Sequence, residues 1–147
     1  MTLSDIEKRV KTLEDIEEIK KMHQAYIGCL DSLKFDKALE NFVEDATAEI
    51  TNSGVRRGIK EITALYRDME IERNNVRDGH FACEPNITVD GDKAKGTWTI
   101  YILFFKPSVQ WVRGHQECDY VKKDGKWKFK NLKFKRISAS DPALLLV

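Results

Sequence analysis

Val89-Asp90-Gly91-Asp92-Lys93-Ala94-Lys95-Gly96-Thr97-Trp98-Thr99-Ile100-Tyr101-Ile102-Leu103-Phe104 is the stretch that decides the fold. Asp90-Gly91-Asp92 is a tight-turn signal. Beyond it Ala94, Gly96, Trp98, Ile100, Ile102 and Phe104 recur at a period of two, the spacing of a strand with one buried face. The same alternation extends to both sides. It places strands at about 77–83, 86–89, 93–106, 109–122 and 126–138, with Asp124-Gly125 as a second turn and Lys106-Pro107-Ser108 as a connection. Strands of this length exceed the usual five or six residues and tend to curve. Gly96 and Gly114 are the places where a bend or bulge fits.

Upstream the period changes to that of a helix. Ile6, Val10, Leu13, Ile16, Met22, Tyr26, Cys29 or Leu30, and Leu33 form an apolar series, with Ser4 and Glu7 as a capping box and a break expected near Thr12. Phe35–Phe42 reads as a short second helix capped by Asp36, 46–51 as a strand, and Asn52-Ser53-Gly54 as a turn. A third helix, from about Gly58 to Glu72, carries Ile59, Ile62, Leu65 and Met69 on one stripe. Helices first and a run of mostly antiparallel strands after them predict an α+β domain over residues 1–147. Its strongly curved, cone-shaped sheet is expected to carry the three helices on its concave face, with a pocket between the layers.

Composition narrows the function. The chain is 41% hydrophobic, 33% charged and carries a formal charge of +1, so neither nucleic acid nor a membrane surface is an expected partner. Lys126, Lys128 and Lys130 share one strand face and read as solvated. Cys29, Cys83 and Cys118 are odd in number and far apart, which fits a reducing, cytoplasmic setting. There is no His-Glu-x-x-His pattern, no His/Cys cluster and no glycine-rich phosphate loop, so neither a metal nor a nucleotide cofactor is expected. Cofactor-free acid–base chemistry or plain ligand binding remains. The apolar end of the tail, Leu144-Leu145-Leu146-Val147, is expected to pack as a lid or against a neighbouring subunit. With the charged face around Trp111, Arg113 and His115, it suggests a dimer or trimer.

The candidates for chemistry are few. His23 lies among Lys20, Lys21 and Gln24 and reads as a surface or half-buried residue; His115 sits on the charged strand face. His80, in Asp78-Gly79-His80-Phe81-Ala82-Cys83, reads first as a structural histidine. In Ala25-Tyr26-Ile27-Gly28-Cys29-Leu30-Asp31 a phenol and a carboxylate stand among small and apolar residues. They are about 140° apart on a regular helix, so both can face one pocket only if the helix ends or tightens near Leu30.

At these residues the chain resembles the SnoaL-like and scytalone-dehydratase-like enzymes of the nuclear-transport-factor-2-like superfamily, over about residues 12–138. Within that group the bile-acid 7α-dehydratases look most similar, through Asp15-Ile16-Glu17-Glu18-Ile19-Lys20 and the run Tyr26-Ile27-Gly28-Cys29-Leu30-Asp31. The resemblance implies a cofactor-independent lyase with Tyr26, Asp31, His80 and Arg136 as catalytic residues. The dehydrochlorinase branch is similar in its Asp–His pair and late Arg. Two scytalone dehydratase features are absent: its second histidine falls near Phe104, and the tyrosine before its aspartate is replaced by Leu30. The expected substrate is a small apolar cyclic molecule, steroid- or polyketide-like, held by Trp98, Ile100, Ile102, Phe104 and Gln116. A ligand-binding module and a ketosteroid-type isomerase are the alternatives on the same fold.

Overall fold

The computed structural model describes all of residues 1–147. Helix α1 (Leu3–Asp31) is followed by α2 (Phe35–Leu39), β1 (Phe42–Ile50), β2 (Val55–Arg57), α3 (Gly58–Arg73) and the long strands β3 (Gly79–Asp90), β4 (Lys93–Phe104), β5 (Gln110–Lys123) and β6 (Lys126–Ala139). A short 3-10 turn, Pro142–Leu145, ends the chain. The strands form one sheet in the order β2-β1-β6-β5-β4-β3. Every neighbouring pair is antiparallel except β1 with β6. The expected α+β architecture, helices on a curved and unclosed sheet, is therefore present.

Several local expectations are corrected. Thr2, not Ser4, caps α1: its hydroxyl accepts from the Asp5 amide, and the Asp5 carboxylate accepts from the Thr2 amide. The helix runs through Thr12 without a break. Its first apolar residues, Ile6, Val10 and Leu13, are exposed, because α1 meets the sheet only from Asp15 onward. Helix α2 is shorter than expected and begins after Lys34, with no side-chain cap from Asp36. Phe42 is already the first residue of β1, where it pairs with Phe129. The two strands expected between 77 and 89 are one strand with a bulge between Cys83 and Asn86, where Glu84 takes a positive φ of 53°.

The curvature has a visible cause at Gly114. The β5–β6 register shifts between Arg113 and Gly114. A Cβ at Gly114 would lie 2.1 Å from the Phe134 ring and 2.8 Å from the Lys135 carbonyl oxygen. The missing side chain lets Phe134 lie flat across the inner face. Tyr120 uses the space at Gly96 in the same way, at 2.8 Å.

The core joins α1, α2 and α3 to the sheet through Ile19, Tyr26, Ile27, Phe35, Ala38, Phe42, Ile62, Leu65, Tyr66, Phe129 and Leu132. Asp15 is buried as well, and its carboxylate accepts from Lys11, Lys122 and the Trp127 indole. Burial alone would raise its pKa, but these three hydrogen bonds outweigh it and hold the group below the ordinary carboxylate value. The contact fixes the height at which α1 crosses β5 and β6. Replacing Gly114 with Ala is expected to push Phe134 off the sheet and cost about 1–3 kcal/mol, the usual penalty for overpacking; urea denaturation reads it directly.

Candidate functional site

A cavity of about 520 Å³ lies between the inner face of the sheet and the three helices, within the size range of small-molecule sites. Its wall is mostly apolar and includes Leu30, Leu65, Ile100, Ile102, Phe104 and Phe134. Tyr26, His80, Gln116 and Arg136 bring polar groups into it. All the expected residues except Asp31 and Trp98 line this one cavity.

Asp31 is the last residue of α1. Ser32 follows outside the helix, and Leu33 turns the chain with φ of 59°. The helix stays regular through Asp31, so Tyr26 and Asp31 keep their angular separation, and of the two only Tyr26 lines the cavity. The Asp31 carboxylate reaches β3 and binds His80 at both main chain and side chain. The His80 amide donates to the two carboxylate oxygens at 3.0 and 3.1 Å, and Nδ1 lies 2.6 Å from Oδ1. A carboxylate only accepts, so Nδ1 carries a proton, and in the neutral ring Nε2 keeps its lone pair. No protein group occupies Nε2, and the His80 side chain is about one-fifth exposed (19%). Asp31 itself does not line the cavity; it acts behind the imidazole.

Tyr26 is buried, and its hydroxyl is hydrogen-bonded to that of Tyr66 on α3. Burial raises both phenols well above their ordinary pKa, so both remain protonated donors. Tyr66, missed from sequence, sits one residue after Leu65, and helical spacing from Ile62 puts it on the buried side. Arg136 lies on β6 and donates from Nη1 to the Leu144 carbonyl at 2.6 Å, while its Nε is buried without a partner. Burial lowers its pKa from the ordinary value; Glu72 opposes that shift and Arg73 adds to it. Its guanidinium lies 5.5 Å from the Phe104 ring centre, and Arg73 lies 5.1 Å from the same ring. The Leu144 contact brings the chain end over the site, and Leu146 and Val147 join the cavity wall. The last apolar residues stay largely exposed even so, Leu146 at 82% and Val147 at 59%.

Two expectations are corrected here. Trp98 does not line the cavity; it is 2% exposed, stacked on His23 at 4.3 Å, and donates its indole N–H to the Tyr120 hydroxyl at 2.9 Å. The alternation of β4 holds, but the cavity ends at this pair, where Gln116 lines the wall and its ladder partner Trp98 does not. His23 is not a surface residue: it is fully buried, with Nδ1 2.9 Å from the Tyr120 hydroxyl. Its spacing of four from Ile19 and three from Tyr26 carried that signal, while its charged sequence neighbours belong to other faces of the helix.

No group of three or more His, Cys, Asp or Glu side chains is assembled that could hold a metal ion. No helix is long and apolar enough to cross a membrane.

A helical layer on a curved, unclosed sheet, with a polar-tipped cavity between them, defines the cystatin-like, nuclear-transport-factor-2-like class. The SnoaL-like domain model matches residues 11–133, and the chain belongs to that family. No curated protein matches it. Among solved structures it is similar to a nuclear-transport-factor-2-like protein with a cystatin-like fold from Novosphingobium aromaticivorans (20% identity, 99% of this chain and 97% of that one, TM-score 0.81). A candidate scytalone dehydratase from the same organism is similar at 20% identity, 88% of each chain and TM-score 0.76. A hexachlorocyclohexane dehydrochlorinase from Novosphingobium barchaimii is similar at 16% identity, 87% of this chain, 90% of that one and TM-score 0.75. At these identities the likeness is one of fold.

Burial makes His23 sensitive to acid. Its pKa is lowered from 6.5 to about 4, chiefly by desolvation, with the neighbouring Gln116 opposing the shift. Below pH 6.5 the unfolded chain takes up a proton that the folded chain refuses until about pH 4. Stability is therefore complete above that window and falls as the pH drops through it, by about 3 kcal/mol in full at 1.36 kcal/mol per unit. Urea denaturation at pH 7 and pH 5 is expected to differ by about 2 kcal/mol on this account. The difference should be much smaller in His23→Phe.

Proposed function

We propose that the protein is a cofactor-independent lyase that eliminates water, or another small leaving group, from an apolar cyclic substrate. The observation that carries the reading is the Asp31–His80 contact, 2.6 Å long, with the free face of the imidazole on a largely apolar cavity. Asp31 holds the tautomer and stabilises the imidazolium that forms, so Nε2 is the base. It takes the proton alpha to a substrate carbonyl. The electron pair left behind becomes the new double bond as the beta hydroxyl departs. The hydroxyl carries off a proton as water, and the imidazole returns to neutrality, so no redox partner or cofactor enters.

Tyr26 and Tyr66 supply the oxyanion contact. Each has one hydroxyl hydrogen, and only Tyr26 lines the cavity. The arrangement that wastes neither has Tyr66 donating to Tyr26 and Tyr26 donating to the enolate oxygen. Arg136, with a nitrogen still unpartnered, stabilises developing charge on the substrate or on the departing oxygen. Two lines support the lyase reading: structural neighbours named as a scytalone dehydratase and a dehydrochlorinase, and the run from Tyr26 to Asp31 that resembles the bile-acid 7α-dehydratases. The apolar walls favour a steroid- or polyketide-like ring.

A panel of cyclic beta-hydroxy ketones and thioesters, followed by mass spectrometry in deuterated water, tests the proposal. Loss of water from a member is the expected result. Deuterium exchange without loss of water would make the protein an isomerase, and binding without either would make it a ligand carrier. On the substrate found, His80→Ala and Asp31→Asn should each lower turnover by about 10²–10⁴, the range for a lost acid–base group. Near-complete activity in either folded variant would sink the mechanism.

A further inference from the structure

Behind the cavity wall lies a chain of polar groups that the proposed elimination does not use. Trp98, Tyr120 and His23 are all essentially sealed from solvent, and Gln116 is 5% exposed. Gln116 is the direct ladder partner of Trp98 on the neighbouring strand, and Trp98 carries the His23 ring on its face. Two atoms in this cluster are buried with no aligned partner: Nε2 of His23 and Oε1 of Gln116. The Gln116 amide nitrogen is not among the buried, unpartnered atoms, and the residue lines the cavity.

The hydrogens of this chain can be assigned one after another. An indole N–H can only donate, so the Tyr120 oxygen accepts from Trp98. Of the neighbours left to the Tyr120 hydroxyl, Nδ1 of His23 at 2.9 Å is a far better acceptor than the Cys118 thiol, so the single hydroxyl hydrogen goes to Nδ1. That nitrogen must be the bare one in a neutral ring, and the burial described above keeps the ring neutral. The proton therefore sits on Nε2, which needs an acceptor. Gln116 Oε1 is an acceptor beside it that lacks a donor, so a modest turn of the amide satisfies both. With its oxygen committed to His23, Gln116 has only its NH₂ group left for the cavity.

We propose that Gln116 is a specificity-determining donor, held with its amide N–H groups toward the ligand by the Trp98–Tyr120–His23 chain. It selects a ring bearing an acceptor oxygen, a carbonyl above all, over the plain hydrocarbon. His23 is a positioning residue for this contact and touches no ligand. The inference rests on the cavity being a ligand site, as the proposed function requires, but not on elimination taking place there.

Two measurements on the intact protein test it. The first needs no ligand: ¹⁵N-resolved NMR of the imidazoles at pH 7. The hydrogen of His23 is expected on Nε2, with Nδ1 bare. A hydrogen on Nδ1 would free the Gln116 oxygen to face the cavity and overturn the proposal.

The second uses 1-tetralone and tetralin as a matched ketone and hydrocarbon, with binding read from amide shift changes. The wild type should prefer the ketone by about tenfold, the equivalent of one neutral hydrogen bond in a dry pocket. Gln116→Met, similar in volume but without the donor, should lose that preference, read as the ratio of the two affinities. His23→Phe should also reduce it, whatever it costs in stability, because an unanchored amide can turn. No ketone preference in the wild type, or full preference in Gln116→Met, overturns the proposal. Neither outcome depends on turnover, so failure of the dehydratase reading remains distinguishable from failure of this one.

Discussion

A single helix carries four polar side chains into the interior, and the structure depends on each of them finding a partner. Buried polar groups without hydrogen bonds are expensive, so their partners fix where α1 can lie. Asp15 is met by Lys122 and Trp127 at the β5–β6 turn end, His23 by Tyr120 on β5, Tyr26 by Tyr66 on α3, and Asp31 by His80 on β3. Apolar contacts alone would let a helix slide or roll on the sheet with little penalty. These four contacts, spread along seventeen positions of one helix and reaching three different elements of the sheet layer and α3, leave it one register.

The four contacts differ in how far they are closed. Asp15, His23 and Tyr26 are all under 5% exposed, whereas the His80 and Asp31 side chains are 19% and 30% exposed. The closed ones leave nothing for a ligand except through an intermediary: Tyr26 through its hydroxyl hydrogen and His23 through Gln116. The open one leaves a complete imidazole nitrogen at the cavity. The same device, a polar group on α1 answered from another element, thus serves structure along most of the helix and chemistry at its end. What changes is access, and access changes because α1 stops at Asp31 and the chain turns away.

The fold was legible in the sequence for local reasons, whereas His80 as the partner of Asp31 was reached through the family resemblance. The period of two after Asp90, the turn at Asp124-Gly125 and the helical stripe of α3 do not depend on tertiary context. An acid at the apolar end of a helix needs a partner wherever the fold brings it. The remainder was set at a distance. His23 was hidden by Lys20, Lys21 and Gln24, which adjoin it in sequence but point elsewhere. Ile6, Val10 and Leu13 have core spacing, but the sheet does not extend beneath them. Trp98 keeps the inward alternation of Ile100 and Ile102, yet which inward residues line a cavity and which are packed solid depends on how deep α1 sits. The pairing of Tyr26 with Tyr66 joins residues forty positions apart and leaves no local trace.

The cavity is a consequence of these constraints and not a packing defect. Protein interiors are close-packed, with few voids larger than a water molecule, so about 520 Å³ of space must be actively held open. Three features hold it. Gly114 and the β5 bulge bend the sheet away from the helices, and the bend is fixed because Phe134 fills the space a side chain would need. The hydrogen bonds of His23 and Tyr26 stop α1 from settling deeper. At the far end two guanidinium groups lie against Phe104, and that of Arg136 also ties down the chain end, so Arg73 and Arg136 cannot collapse inward without abandoning the ring and the Leu144 carbonyl. Walls of Ile and Leu then lower the local dielectric around the few dipoles that remain, and the attraction between a held donor and a charge developing on a bound molecule is correspondingly stronger. A space that is apolar by area and polar only at fixed points can offer that, which neither a filled core nor an open cleft could do.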